Sequence, residues 1–134
     1  MIVVVDASAA VELVLRRPQA DAIARHLEEA EWVLAPALFV AEVTNAMWKY
    51  HYFNGLPVDL CETAITDALA LPDTYAEDHE LARETFALAA QTQRPAYDAF
   101  YLVLSRRHDG LLLTLDASLQ GVARKQSIRV ASVN

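Results

Sequence analysis

Four carboxylates of this 134-residue chain are the side chains best suited to chemistry: Asp6, Glu42, Asp98 and Asp116. Asp6 and Asp116 each follow a strongly apolar run, whereas Glu42 and Asp98 lie in segments with helical periodicity. If the chain brings them together, each negative charge raises the pKa of the others, and the group needs a counter-charge. Oxygen-only ligation suits a hard divalent cation, so the pattern predicts a site for Mg²⁺, with Mn²⁺ as an alternative.

Each carboxylate taken alone also has a purely structural explanation. Asp6 or Asp116 could cap the helix that follows it. Glu42 could be a solvated surface acid or could associate with Lys49 two turns further along its helix. Asp98 lies in the first turn of a helix, where an acid complements the helix dipole. No single carboxylate therefore identifies a site.

Other reactive groups offer weaker patterns. The histidines and the lone cysteine are scattered without zinc-type spacing: His26, His51, His79, His108 and Cys61. No Ser–His or Cys–His nucleophile is evident, which disfavours covalent catalysis. An Asp-based phosphotransfer protein also places an Asp after a strand, as Asp6 is placed. Such a protein needs a well-placed lysine, and the chain has only Lys49 and Lys125.

The elements that must position these carboxylates alternate between strands and helices. Apolar runs predict strands at residues 2–5, 32–34, 111–115 and 128–133, the last at a sheet edge, and a brief strand is expected at residues 73–75. Amphipathic or helix-forming segments predict helices at residues 9–15, 19–29, 37–53, 58–71, 78–91, 96–107 and 117–125, the first of them capped by Ser8. This alternation predicts an α/β fold with a parallel sheet covered by helices on both faces. Ligands bind beyond the carboxyl ends of such strands, where Asp6 and Asp116 would share one rim.

Length and composition indicate one globular domain spanning residues 1–134, with 54% hydrophobic and 22% charged residues. The net charge of −7 argues against a broad basic surface that binds nucleic acid. Residues 1–67 hold ten acids and four bases, and residues 68–134 hold eight acids and seven bases. A basic binding surface is therefore expected from the second half rather than from Arg16, Arg17 and Lys49. Its candidates are Arg94, Arg106, Arg107, Arg124 and Lys125.

Nothing in the sequence suggests a membrane segment. The apolar start of the chain is interrupted at Asp6, and no later run approaches the roughly 18 apolar residues of a spanning helix. We expect a soluble cytoplasmic protein.

The segments around the four carboxylates resemble the acidic motifs of PIN-domain ribonucleases, in particular the VapC-like toxins of VapBC toxin–antitoxin pairs. The matching segments are residues 5–9 (VDASA), 42–46 (EVTNA), 97–101 (YDAFY) and 114–119 (TLDASL). Any one of these patterns is weak, but all four occur in order over nearly the whole chain.

This resemblance implies a three-layer α/β sandwich around a mainly parallel sheet, and a metal-dependent endoribonuclease that hydrolyses RNA phosphodiester bonds. Asp6, Glu42, Asp98 and Asp116 would be the catalytic residues and the ligands of Mg²⁺. The supporting polar residues would be Ser8, Asn45 and Thr114. The resemblance also implies a homodimer and inhibition by a cognate antitoxin protein.

Two further expectations concern RNA and folding. Arg94 and Trp48 are candidates to contact RNA, with core packing as the alternative role of Trp48. Asp98→Asn is expected to fold at least as well as the unmodified chain without metal, because it relieves carboxylate repulsion. A non-catalytic module, whose acids serve only to bind a partner, remains the alternative to an enzyme.

Overall fold

One sheet of four parallel strands, in the order β3-β2-β1-β4, forms the centre of the computed structural model, which describes residues 1–133. The strands are β1 (Ile2–Val5), β2 (Trp32–Pro36), β3 (Thr74–Ala76) and β4 (Leu111–Leu113). β1 pairs with β4 in the register Val3 to Leu111 and Val5 to Leu113, so the two strands end side by side. The sheet is all parallel, as the alternation of strands and helices predicts.

Within residues 1–133 the strands are connected and covered by seven helices. They are α1 (Ala7–Val14), α2 (Ala20–Glu29), α3 (Leu38–Asn54), α4 (Val58–Leu69), α5 (Asp78–Thr92), α6 (Ala96–Arg107) and α7 (Ala117–Lys125). None of these helices combines the length and the apolar character needed to cross a membrane.

Side chains of the central strand alternate between two apolar cores, because successive residues of a strand point to opposite faces. Val3 and Val5 pack in a cluster with α1 to α4 that includes Ile23, Phe39 and Val43. Val4 packs on the opposite face, in a cluster with residues of α5, α6 and α7: Leu81, Leu88, Leu102, Leu104 and Leu119. The fold is therefore α/β with helices on both sides of the sheet, which confirms the three-layer prediction.

The first helix begins earlier than the sequence suggested. Asp6 is its N-cap, and its Oδ1 accepts a hydrogen bond from the Ala9 backbone N–H at 3.0 Å. Ser8, the expected cap, lies inside the helix and donates its hydroxyl to Asp6. The capping residue of α1 is thus a candidate catalytic residue.

The end of the chain also differs from expectation. Residues 128–133 contribute a single parallel bridge between Val130 and Leu112 instead of a full strand. β4 ends at Leu113 instead of residue 115, because the Leu115 N–H donates to the Ser8 hydroxyl at 3.0 Å and leaves the sheet. This turn places Thr114 and Asp116 next to the end of β1.

Candidate active site

Asp6 lies buried at the carboxyl end of β1 and accepts hydrogen bonds from three donors. The Ser8 hydroxyl donates to Oδ1 at 2.6 Å, the Ala9 N–H donates to the same oxygen, and the Thr114 hydroxyl donates to Oδ2. Burial raises the pKa of Asp6, although these hydrogen bonds oppose the rise. A buried carboxylate with no positive partner among residues 1–133 favours the approach of a cation or of a proton.

Thr114 connects Asp6 to Asp116. Its buried hydroxyl donates to Asp6, accepts from the Asp116 N–H at 3.1 Å and lies 3.3 Å from the Ser8 hydroxyl. The Asp116 carboxylate caps α7, where Oδ1 accepts from the Leu119 N–H at 3.1 Å. The charge on Asp116 also raises the pKa of Asp6, so the two carboxylates interact at the carboxyl ends of β1 and β4.

Glu42 reaches the site from α3, in the first turns of that helix. Its Oε1 accepts a hydrogen bond of 2.5 Å from the hydroxyl of Tyr101 on α6. Partial burial raises the pKa of Glu42, and the charges of Asp6, Asp98 and Asp78 raise it further. Glu42 therefore interacts with two of the other candidate acids.

Tyr101 is a candidate site residue that the sequence patterns did not single out. Burial and the neighbouring Glu42 raise the pKa of the Tyr101 phenol, so it stays protonated and donates to the carboxylate. One feature of the sequence points to Tyr101. It follows Asp98 by three residues, and residues three apart lie on the same face of a helix.

Asp98, at the start of α6, pairs with Arg94 instead of contacting the other acids directly. Arg94 Nη2 lies 2.6 Å from Asp98 Oδ2, and Nη1 lies 2.5 Å from the Ser118 hydroxyl. The Nε of Arg94 is buried without a hydrogen-bond partner among residues 1–133. The expected RNA-contacting Arg94 is therefore engaged with a candidate ligand residue and with the first turn of α7.

Asn45 and Ser8 complete the expected supporting group. Asn45 is exposed on α3 one turn after Glu42, and both line a hollow that Ser8 also borders. Ser8 is exposed, and its hydroxyl donates a hydrogen bond to Asp6. Trp48, expected to pack in the core if it did not contact RNA, is 52% exposed and stacks on Tyr52.

The four carboxylates have the chemistry for a divalent cation but are not grouped around one point. Among residues 1–133, no three His, Cys, Asp or Glu side chains are grouped closely enough to hold a metal as they stand. Asp98 is held by Arg94, and Asp116 by the N–H groups of α7. The donors nevertheless fit a hard cation, because they are all carboxylate oxygens and the Asp6 carboxylate is buried beside the charge of Asp116.

Comparisons with known proteins identify the family of the chain. A family model described as PIN domain matches residues 3–125. The chain is 31% identical over 125 residues to Ribonuclease VapC3 of Pyrobaculum aerophilum, which covers 89% of this chain and 92% of that protein. It also superposes on the crystal structure of PAE2754 from Pyrobaculum aerophilum, with a TM-score of 0.69, 25% identity, and coverage of 91% of this chain and 87% of that one. The resemblance seen in the four acidic segments is confirmed, and the chain belongs to the PIN domain family.

Proposed function

We propose that this protein is a metal-dependent endoribonuclease that hydrolyses RNA phosphodiester bonds and acts as the toxin of a toxin–antitoxin pair. Its similarity to a protein named Ribonuclease VapC3 supports the reaction class. The observation that carries the proposal is the buried Asp6 at the carboxyl end of β1. Its pKa is raised, and its carboxylate interacts with those of Asp116 and Glu42. Acids in this setting are typical of functional sites.

Mg²⁺, or Mn²⁺ in its place, would be held by Asp6, Asp98 and Asp116, with Glu42 as a further ligand or as the base. When bound, the cation supplies positive charge for the phosphate and makes a nearby water easier to deprotonate. Asp98 then has to exchange its partner Arg94 for the cation, because the two compete for the same carboxylate.

The chain's own residues contribute orientation and proton transfer. Ser8 and Thr114 fix both oxygens of Asp6, and Tyr101 fixes one oxygen of Glu42. The raised pKa of Glu42 makes its carboxylate a stronger base. We assign Glu42 the removal of a proton from the attacking water.

The proposal includes an antitoxin partner, a homodimer and a cytoplasmic location. An exposed cluster of aromatic side chains on α3 supports a protein contact, because such surfaces are unusual on isolated monomers. In this cluster Trp48 stacks on Tyr52 at 5.0 Å, and Tyr52 packs edge-on against Phe53 at 4.9 Å. An Asp-based phosphotransfer protein has less support, because the hydrogen bonds to the Asp6 carboxylate come from hydroxyls and a backbone N–H.

RNA cleavage by purified protein tests the proposal. We expect cleavage of a broad RNA pool in Mg²⁺ or Mn²⁺, none in EDTA, and none by Asp6→Asn. Asp67→Asn, which changes an exposed acid of α4, should cleave like the unmodified protein. An intact RNA pool in both metals, together with tight binding of a protein partner, would establish the non-catalytic module instead.

A further inference from the structure

Arg94 forms the only ion pair among residues 1–133 that involves one of the four candidate carboxylates. Its Nη2 lies 2.6 Å from Asp98 Oδ2, and its Nη1 donates to the Ser118 hydroxyl at 2.5 Å. Ser118 lies in the first turn of α7, two residues after the cap Asp116. The guanidinium is therefore tied to both of the helix starts that carry Asp98 and Asp116.

The hydrogen bonding of this guanidinium is incomplete. A guanidinium carries five N–H donors, and Arg94 directs one nitrogen to a carboxylate and one to a neutral hydroxyl. Its Nε is buried and has no hydrogen-bond partner among residues 1–133. Within that part of the chain Asp98 is its single charged partner. The planar donor fork of an arginine fits a phosphate as well as a carboxylate.

The backbone at Arg94 is held in place while its side chain reaches the surface. Gln93, in a left-handed conformation with φ of 57°, ends α5, and Pro95 caps α6. The Arg94 N–H donates to the Ala89 carbonyl at 3.2 Å. The Arg94 side chain is 19% exposed. The guanidinium can therefore change partners by side-chain rotation alone, with both neighbouring helices unmoved.

A cation on Asp98 takes away the charged partner of Arg94. The guanidinium is then left with the neutral Ser118 hydroxyl in a largely buried position, where an unpaired charge is unfavourable. A phosphate that binds beside the cation supplies a new anionic partner. The cation and the phosphate therefore favour each other's binding through this one side chain.

We propose that Arg94 is a phosphate-binding residue that the divalent cation releases. Without the cation, Arg94 neutralises Asp98. With the cation on Asp98, the guanidinium binds a phosphate oxygen of the substrate. The inference rests on the proposed ribonuclease function and adds to it a residue and a coupling between cation and phosphate. Because binding free energies are linked, phosphate should strengthen cation binding by the same factor.

Binding of uridine 5′-monophosphate, a monoester that a phosphodiester hydrolase leaves intact, tests this coupling without cleavage. Calorimetry in saturating Mg²⁺ should show about tenfold weaker binding to Arg94→Met than to the unmodified protein, as for one lost charged hydrogen bond. This deficit should shrink in EDTA, where Asp98 holds Arg94. Arg106→Met removes the same charge at the far end of α6 and should bind the nucleotide normally. Arg94→Lys, which keeps the charge and loses the fork, should lie between the two.

Asp98→Asn provides the converse test, because it frees Arg94 without any cation. In EDTA it should bind the nucleotide about three- to tenfold more tightly than the unmodified protein, since the competing ion pair is gone. The double variant Arg94→Met, Asp98→Asn should lose this gain. Asp116→Asn is the matched control, because it removes a carboxylate at the same place and leaves the ion pair intact. An equal gain in Asp116→Asn would reduce the effect to net charge and contradict the proposal.

The Nε–H signal of Arg94 in ¹⁵N nuclear magnetic resonance reports the change of partner directly. It is identified by its absence in Arg94→Met. Mg²⁺ should shift this signal, and the nucleotide should shift it further only when Mg²⁺ is present. A signal that Mg²⁺ leaves unchanged would show that Arg94 stays on Asp98.

The two proposals fail in different ways. If the protein cleaves RNA while Arg94→Met binds the nucleotide in Mg²⁺ as tightly as Arg106→Met does, Arg94 only ties α6 to α7 and the ribonuclease proposal stands. If the unmodified protein cleaves no RNA and gains no nucleotide affinity from Mg²⁺, both proposals are wrong. Thermal melts of every variant show that the proteins compared are folded.

Discussion

The guanidinium of Arg94 lies 2.6 Å from the carboxylate of Asp98, so one acid of the candidate active site already has a positive partner within the chain. The same guanidinium reaches the Ser118 hydroxyl and ties the start of α6 to the start of α7. The Arg94 side chain is only 19% exposed, which limits screening of the pair by water. This ion pair decides the sign of the first two predictions.

Asp98→Asn should destabilise the metal-free protein, by about 1–2 kcal/mol for a partly buried ion pair that loses one member. From the sequence alone we expect the opposite result, because Asp98→Asn would relieve repulsion among the acids. Urea denaturation in EDTA measures the free energy of unfolding. The double variant Arg94→Met, Asp98→Asn should lose little more than Asp98→Asn alone. An Asp98→Asn protein as stable as the parent would show that the ion pair contributes nothing.

Arg94→Met should increase the affinity for Mn²⁺ about three- to tenfold, because the ion pair with Asp98 no longer competes with the cation. Isothermal titration calorimetry on metal-free protein measures this directly. Arg106→Met, which removes a cation bound to Glu84 at the far end of α6, is the control and should leave the affinity unchanged. A weaker affinity in Arg94→Met would mean that Arg94 supports the metal site instead of competing with it.

Tyr101→Phe should shift the acid limb of the cleavage profile to higher pH. The Tyr101 hydrogen bond lowers the pKa of Glu42, so its removal lets that pKa rise and protonates the base at a higher pH. A pH–rate profile in Mg²⁺ shows the change. Tyr75→Phe removes a phenol bound to the Leu69 carbonyl at 2.7 Å and should not move the profile. Identical profiles for all three proteins would remove Glu42 from the role of base.

Asp6→Asn should stabilise the metal-free protein above acidic pH. Burial raises the folded-state pKa of Asp6 above its ordinary value of 3.8, so the folded state binds the proton more tightly than the unfolded chain. The contribution of Asp6 to stability therefore falls as pH rises from 3.8 through the folded-state pKa. Asn cannot ionise, so the advantage of the variant should grow across this window and then level off. Thermal melts in EDTA at several pH values test this, and an advantage that shrinks as pH rises would contradict it.

The sequence placed Asp6 and Asp116 on one edge correctly, because each follows a buried strand and parallel strands end together. It did not reveal the contact between Glu42 and Tyr101, which lie 59 residues apart on α3 and α6 and meet only in the folded chain. It also assigned Ser8 the cap of α1, since Ser and Asp are comparable as caps and only the fold decides between them. Local pattern was sufficient to place the two carboxylates after neighbouring strands, and insufficient for the exact end of β4 and for contacts between helices.

Manganese binding followed by electron paramagnetic resonance measures whether these carboxylates form a metal site. Titration of Mn²⁺ into metal-free protein should show saturable binding in the unmodified chain and in Asp67→Asn. Binding should be lost in Asp6→Asn and weakened in Glu42→Gln, with thermal melts showing that both variants are folded. Equal Mn²⁺ binding in the unmodified and Asp6→Asn proteins would contradict a metal site built on these carboxylates.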